Sequence, residues 1–407
     1  MMISYPKNKI RILLLENIHQ QAIDLFEEES YQIIRHSGAM TEEVLADAIR
    51  DVHLLGIRSK TQVTEKILLQ ANKLLGIGVF CIGTNQLDLK ACSAKGIPVF
   101  NAPYSNTRSV VELAIGEMIM LIRNVVTKNS LLHAGQWDKS AANSFEIRGK
   151  TLGIVGYGNI GSQLSVLAEA MGMQVVFYDV VDKLSLGNAR KCQTFHELLK
   201  ISDVVSLHVD GRSDNTRLMG SDEFKQMKPS AVFLNLSRGH VVDIDALQHA
   251  LLTHQIHGAS VDVFPYEPVN NDEGFESPLR GLSNTLLTPH IGGSTEEAQK
   301  NIGDFVTRKL IHFVNKGDTY GAVNFPEVQL PAFTHSHRML HVHFNVPGIL
   351  AQINTILANY SANIQAQYLK TQEDIGYVIT DIGSDYQSEM IQALRDIPQT
   401  IRLRILY

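Results

Sequence analysis

The chain has 407 residues, enough for about two or three domains with substantial cores. Lys and Arg total 36 against 42 Asp and Glu, so the net charge of −6 excludes a general attraction to nucleic acid or to a membrane surface. No apolar run approaches the ~18 residues that span a bilayer, and the N-terminal MMISYPKNKIRILLLENI passes into a strand rather than a signal-peptide core.

Three cysteines, Cys81, Cys92 and Cys192, show no metal-ligand spacing. They predict reduced thiols in a cytoplasmic protein without a metal. Strands are expected at Ile10–Leu15, Tyr31–Ile34, Val52–Ile57, Leu74–Ile82 and Ile97–Phe100. Helical spacing lies between them, at Ile18–Phe26, Thr41–Ile49 and Thr64–Lys73. Alternating strands and helices predict a parallel-sheet α/β domain. Arg58-Ser59-Lys60 directly follows one of its strands. Val110–Val126 reads as one long apolar helix, with Ser109 and Glu112 at capping-box spacing and Asn106 or Thr107 as rival caps. A domain junction is expected near Tyr104.

Thr151–Val180 organises the rest. A buried strand, Leu152–Val155, runs into Gly156-Tyr157-Gly158-Asn159-Ile160-Gly161, then a helix, then a second strand ending at Asp179. In this G-x-G-x-x-G turn Gly156 permits the tight bend, Gly158 lets a pyrophosphate approach, and Gly161 lets helix and strand pack closely. The unpaired N–H groups of the helix start suit phosphate. Asp179 is placed to accept from both ribose hydroxyls and to repel a 2′-phosphate, which favours NAD over NADP. The glycine pattern alone is weak; the flanking strand, helix, second strand and acid make it specific.

Further strands are expected at Asp203–Val209, Ala231–Asn235, Ala259–Val263 and Thr285–Leu287, and helices at Asp243–His254 and Ser294–Lys316. Ligands of such sheets sit beyond the strand ends. Three successive ends carry Arg238, Glu267 and His290. An arginine there can hold a carboxylate bidentately. A histidine suits proton transfer near neutrality, and a carboxylate can orient it and favour its charged form. Each residue alone reads as an ordinary surface or structural side chain. Their coincidence on neighbouring strands of one nucleotide sheet points to a site. His208 and His240 complete no such set, and Trp137 reads either as a subunit contact or as core.

Asn324–Pro331, with two prolines and no period, reads as a linker. Beyond it, strands and helices follow in the order β-α-β-β-α-β from Arg338 to Leu406, a ferredoxin-like unit.

The motifs GYGNIG, NLSRGHVVDIDAL, DVFPYEP, TPHIGGST and NAPYSNTRSVVEL together resemble the D-2-hydroxyacid dehydrogenases over roughly the first 325 residues. With the C-terminal unit, the whole chain is similar to the short bacterial branch that oxidises 3-phospho-D-glycerate to 3-phosphooxypyruvate and opens serine biosynthesis. The resemblance implies a Rossmann-like doubly wound NAD domain (105–295) inserted in a flavodoxin-like α/β substrate domain (1–104 and 296–326), and a C-terminal ACT domain (337–407). It implies that Arg238, Glu267 and His290 are catalytic, with His290 the proton carrier. It implies NAD contacts from Asn159, Ile160, Asp179, Leu236, Ser237, Arg238, Asp262, His290, Gly292 and Gly293. Arg58, Ser59, Lys60, Asn106 and Lys139 are then the candidates for a phosphorylated small-molecule substrate.

The tail resembles an ACT effector module, which implies that His343, Asn345 and Asn363 bind serine. Phe344 and Val346 are apolar where relatives carry polar residues, and Thr334-His335-Ser336-His337 replaces an expected Gly-Gly joint. Serine inhibition of altered strength is the expectation. The resemblance also implies a homotetramer and a second activity, reduction of 2-oxoglutarate. Competing functions are a glyoxylate or hydroxypyruvate reductase, disfavoured by the tail and by Arg58 and Lys60, and a non-enzymatic NAD(H)-sensing corepressor.

Overall fold

Five short apolar runs with helices between them make the first sheet. The computed structural model describes residues 6–268, 273–331, 337–383 and 386–406. Strands β1 (Arg11–Leu14), β2 (Gln32–Arg35), β3 (Leu54–Ile57), β4 (Gly76–Val79) and β5 (Val99–Phe100) are all parallel, in the order β2-β1-β3-β4-β5. That is the flavodoxin-like order. Strands β3 to β5 are buried throughout, as parallel strands covered on both faces by helices must be. The helix Glu296–Lys316 returns to this sheet and packs Val306, Leu310 and Phe313 into its core.

The chain divides into two compact units, Met1–Ser105 with Gln299–Tyr407, and Asn106–Ala298. The second unit is built on seven parallel strands. They are β6 (Thr151–Val155), β7 (Gln174–Tyr178), β8 (Arg190–Lys191), β9 (Val204–Leu207), β10 (Val232–Asn235), β11 (Gly258–Val261) and β12 (Thr285–Leu287), in the order β12-β11-β10-β9-β6-β7-β8. This is the doubly wound dinucleotide-binding order with one strand added. The winding reverses between β6 and β9, so a crevice opens there beyond the strand ends.

The long helix expected at Val110–Val126 is two. Thr107–Ile122 stops at Asn124, which takes a left-handed φ of 54°, and Val125–His133 follows. Ser109 does not cap it; its hydroxyl pairs with Thr295 at 2.8 Å. The cap of the helix Glu296–Lys316 is Thr295 rather than Ser294, because Thr295 Oγ1 accepts from Ala298 N. Trp137 is 79 % exposed, which rules out core packing.

At the C-terminus β13 (His337–Phe344), β14 (Ile364–Gln372), β15 (Ile375–Ile382) and β16 (Thr400–Leu406) form an antiparallel sheet, β14-β15-β13-β16. Two helices, Ile349–Asn359 and Ser388–Arg395, cover one face through Met339, Ile353, Val378 and Leu394. The other face is not free. Leu340, Val342, Tyr377 and Ile379 share one core with Ile12, Phe26 and Leu310 of the first sheet's domain. Arg338 is 2 % exposed, lies 2.7 Å from both oxygens of Asp381, and donates to Lys316 O. Tyr377 O–H donates to Gly317 O at 2.7 Å. Cationic and hydroxyl donors thus meet the carbonyl end of the long helix, where its dipole is negative.

The Asn324–Pro331 segment is therefore not a loose linker. Asn324 Oδ1 accepts from Val99 N and its Nδ2 donates to Ile97 O, and Phe325 is fully buried. Prolines remove periodicity from a sequence without removing docking. Thr334, His335 and Ser336 of the expected joint lie outside the described residues. Among the described residues no helix is long and apolar enough to cross a membrane.

Candidate active site

The glycine turn follows β6. Gly156 has φ 91°, and a Cβ there would fall 2.5 Å from His208 O, so only glycine fits the bend. Gly161 abuts Gly156 O as the helix Asn159–Ala170 begins, whereas Gly158 faces open space. No side chain caps that helix, so its first N–H groups, with exposed Asn159 and half-buried Ile160, stay open to an anion. Asp179 Oδ2 accepts from Tyr157 N of the turn, and Oδ1 from Val181 N in the loop after β7. The acid thus braces the turn from the end of β7. Open amides at the crevice and an acid beside them fit a dinucleotide. His208 is a structural neighbour of the turn: it bonds Ser206 Oγ at 2.8 Å, and burial pushes its pKa down to about 4.

The loops after β10, β11 and β12 converge. After β10, Asn235 Oδ1 accepts from Ser237 N and Oγ, burying Leu236 and Ser237. Arg238 follows, half-buried, with Nη1 donating to Ser237 O at 2.7 Å. Gly239 then meets the next loop: a Cβ on it would fall 2.0 Å from Phe264 C and O. That close backbone approach brings the Arg238 loop against the loop carrying Glu267. Sequence alone gave no sign of it, since a glycine after an arginine has many uses.

Glu267 Oε1 accepts from Phe264 N at 2.9 Å, and Oε2 lies 2.7 Å from His290 Nδ1. Burial works to raise the Glu267 pKa, but the bonds from His290 and Phe264 and the charges of His290 and Arg238 outweigh it, and the net shift is down. For His290 the hydrogen bond to Glu267 is the largest cause and raises the pKa. Burial opposes it, the charges of Glu267 and Asp262 add to it, and Arg238 subtracts. The three residues are thus close enough to act on one another's charge. Half of the His290 side chain remains exposed, so Nε2 is the nitrogen left for substrate.

His290 also takes φ 54°, and its N–H reaches Asp262 O at 2.8 Å and Thr288 O at 3.0 Å. Such a left-handed residue is retained at a cost of about 1 kcal/mol or more, typically at functional sites. The supporting group is Asp262, only 1 % exposed. Its carboxylate accepts from Thr288 Oγ1 at 2.6 Å, Ile291 N at 2.8 Å and Gly292 N at 2.9 Å. Both oxygens are occupied by the chain's own donors, so Asp262 holds the His290 loop. Gly292 and Gly293 pack tightly; a Cβ on Gly293 would fall 2.1 Å from Asn106 Nδ2, which sets Asn106 beside this loop.

One neighbour escaped the sequence reading. Glu117, on Thr107–Ile122, is 1 % exposed beside Ser260 and Thr288. Those hydroxyls already donate, to Leu286 O and to Asp262 Oδ1. Neither Glu117 carboxyl oxygen has a hydrogen-bond partner among the described residues. Burial is the main cause that lifts its pKa, to about 7; the Asp262 carboxylate nearby also works to raise it, and the Ser260 and Thr288 hydroxyls beside it work to lower it. A lone Glu in an apolar helix looks like a surface residue until the packing is known.

Other expected residues lie elsewhere. Arg58, half-buried, and exposed Ser59 and Lys60 belong to the first unit. Lys139 is exposed on the loop that follows Val125–His133. In the C-terminal sheet His343 is fully buried, its Nδ1 2.7 Å from Phe344 O and its ring against Gly376. Asn345 and Asn363 are exposed. They stand at opposite ends of the sheet, because β13 and β14 both run antiparallel to β15, and Ile364 and His337 both pair with Ile382. At ~3.3 Å per residue that separates them by roughly 25 Å.

Residues 115–292 match the family model described as D-isomer specific 2-hydroxyacid dehydrogenase, NAD binding domain, and residues 339–402 match an AHAS small subunit-like ACT domain. The chain is 51 % identical over 408 residues to D-3-phosphoglycerate dehydrogenase of Escherichia coli K12, covering 100 % of this chain and 99 % of that one. It is 49 % identical to the Dictyostelium discoideum enzyme of the same name, covering 99 % of each. Among solved structures it is similar to D-lactate dehydrogenase from Aquifex aeolicus complexed with NAD and lactic acid, with 25 % identity and TM-score 0.66 over 74 % of this chain and 95 % of that one.

Proposed function

The chain belongs to the D-isomer specific 2-hydroxyacid dehydrogenases, as an NAD-dependent oxidoreductase of the D-3-phosphoglycerate dehydrogenase type, and on that premise we propose its substrate and control. The substrate is 3-phospho-D-glycerate, oxidised at C2 to 3-phosphooxypyruvate in the step that opens serine biosynthesis. One observation carries the chemistry: a histidine 2.7 Å from a carboxylate, beside an arginine, on adjacent strand ends of a dinucleotide sheet.

In the oxidative direction neutral His290 takes the proton of the C2 hydroxyl on Nε2. Glu267 stabilises the imidazolium that forms and keeps Nδ1 as the donor that faces it. Arg238 grips the substrate carboxylate and, as the carbonyl develops, its oxygen. NAD, held at the glycine turn, would supply the acceptor for the C2 hydride. In reduction protonated His290 returns the proton. The same grip suits any short α-keto acid, so reduction of 2-oxoglutarate is proposed as a second activity. Arg58, Ser59, Lys60, Asn106 and Lys139 are the groups proposed for the substrate's phosphate end.

Serine is the proposed effector, at Asn345, Asn363 and the backbone around His343. Since Asn345 and Asn363 are far apart within one sheet, a site using both takes one from each of two copies. This supports a homo-oligomer, proposed as a tetramer, with exposed Trp137 as a further contact. The test is NAD reduction by purified protein with 3-phosphoglycerate, with and without serine. Turnover only with unphosphorylated 2-hydroxy acids overturns the substrate; serine inhibition unchanged in Asn345→Ala overturns the effector site.

A further inference from the structure

The first unit holds a second ordered arrangement of charged and polar groups, around Glu16. This residue follows β1 and takes φ 62°, with Asn17 after it at 50°. Two successive non-glycine residues in the left-handed region are costly and persist only where the surroundings hold them. Here the surroundings are a loop. Glu16 is 7 % exposed. Its Oε1 accepts from Arg58 N at 3.2 Å and Thr61 N at 2.9 Å, and its Oε2 from Lys60 N at 2.9 Å. From the opposite side the buried Gln86 Nε2 donates to Arg58 O and, at 3.3 Å, to Gly83 O.

A buried carboxylate with three convergent backbone donors is strongly held, because charge-assisted bonds in a low-dielectric site are the strong ones. What it holds is the main chain of 58–61. Three of the loop's amides are thus taken, which leaves the Ser59 amide and the Arg58, Ser59 and Lys60 side chains to answer a ligand, with Arg58 Nη1 also reaching Glu16 O at 3.5 Å. The acid thereby spends its own charge inside the protein, on N–H groups, and does not meet an incoming anion.

We infer that Glu16 is a positioning residue that presets the Arg58-Ser59-Lys60 loop for the phosphate end of the substrate. The inference rests on the proposed function, since it takes a phosphorylated 2-hydroxy acid as the ligand. Glu16 belongs to the first unit, whereas Arg238, Glu267, His290 and the glycine turn belong to the second. Its loss therefore acts on substrate affinity and leaves the chemical step in place.

The experiment measures kcat and KM for 3-phosphoglycerate, and Kd for NAD, in full-length wild type, Glu16→Gln, Glu16→Ala, Arg58→Ala and the double variant Glu16→Ala/Arg58→Ala. Glu16→Ala should raise KM by about 10- to 100-fold with kcat within about threefold, the pattern of lost ground-state binding. Glu16→Gln keeps an acceptor for two of the three amides and should fall between, and it also serves if the alanine variant does not fold. Kd for NAD should stay within about twofold. In the Arg58→Ala background the added effect of Glu16→Ala should shrink to about threefold or less, because the two act through one loop. An unchanged KM in both Glu16 variants, full additivity with Arg58→Ala, or an equal loss of NAD affinity overturns the inference. Wild type that turns over other 2-hydroxy acids but not 3-phosphoglycerate overturns the substrate reading and the inference with it.

Discussion

Glu267 is fixed at both ends: Phe264 N holds Oε1 at 2.9 Å, and His290 Nδ1 stands 2.7 Å from Oε2. A carboxylate so restrained presents a permanent negative charge to one face of the imidazole. The ring keeps one tautomer and one orientation, and its other nitrogen is left to work. This is the second-residue logic of acid–base pairs on unrelated folds.

His290→Ala removes the proton carrier and should cost about 10²- to 10⁴-fold in kcat. In the proposed function NAD is held chiefly at the glycine turn, so its Kd, read by fluorescence titration, should stay near that of wild type. A turnover loss below about fivefold with intact NAD binding would give the proton another route.

Gly239→Ala places a methyl against Phe264 C and O, which are backbone atoms and cannot rotate away. The Arg238 and Glu267 loops must separate. Stability should drop by about 1–3 kcal/mol, and kcat/KM by about 10²-fold through lost alignment. Thermal melting and steady-state kinetics measure both. Wild-type kinetics in this variant would mean that the contact does not set the site.

Glu117 gives a stability prediction with a definite sign. Its folded pKa, about 7, is above the ordinary carboxyl value of 4.5, so the folded state binds more protons between those values. Stability therefore falls as pH rises from about 4.5 to about 7, by roughly 3 kcal/mol for this one group. Glu117→Gln mimics the neutral acid. It should lose that part of the pH dependence and be the more stable protein at pH 8, by urea unfolding. The same slope in both proteins would show that Glu117 is ionised throughout.

Much of this was legible in the residues, because it rests on local rules. The turn, helix and acid around Gly156 and Asp179 are fixed by spacing, and strand ends name where Arg238, Glu267 and His290 stand. What could not be read depends on long-range packing. Nothing local announces that Gly239 touches Phe264, that Glu117 faces Asp262, or that Glu16 reaches residues 58–61. The prolines of Asn324–Pro331 hid a docked segment, and Asn124 broke a helix whose apolar pattern ran on through it. His343 sits on a strand whose alternation shows two faces but not that both are covered.

The most direct test of the central pair is the pH profile of kcat/KM for oxidation in wild type and Glu267→Gln. Oxidation needs neutral His290, whose pKa lies above the ordinary imidazole value while Glu267 is charged. The wild-type rate should rise with pH through that elevated value, and reduction should fall through it. Glu267→Gln removes the largest cause that raises the His290 pKa and should move the acid limb to lower pH, with kcat reduced by about 10²-fold or more. An acid limb that stays in place when the carboxylate is removed would contradict the account.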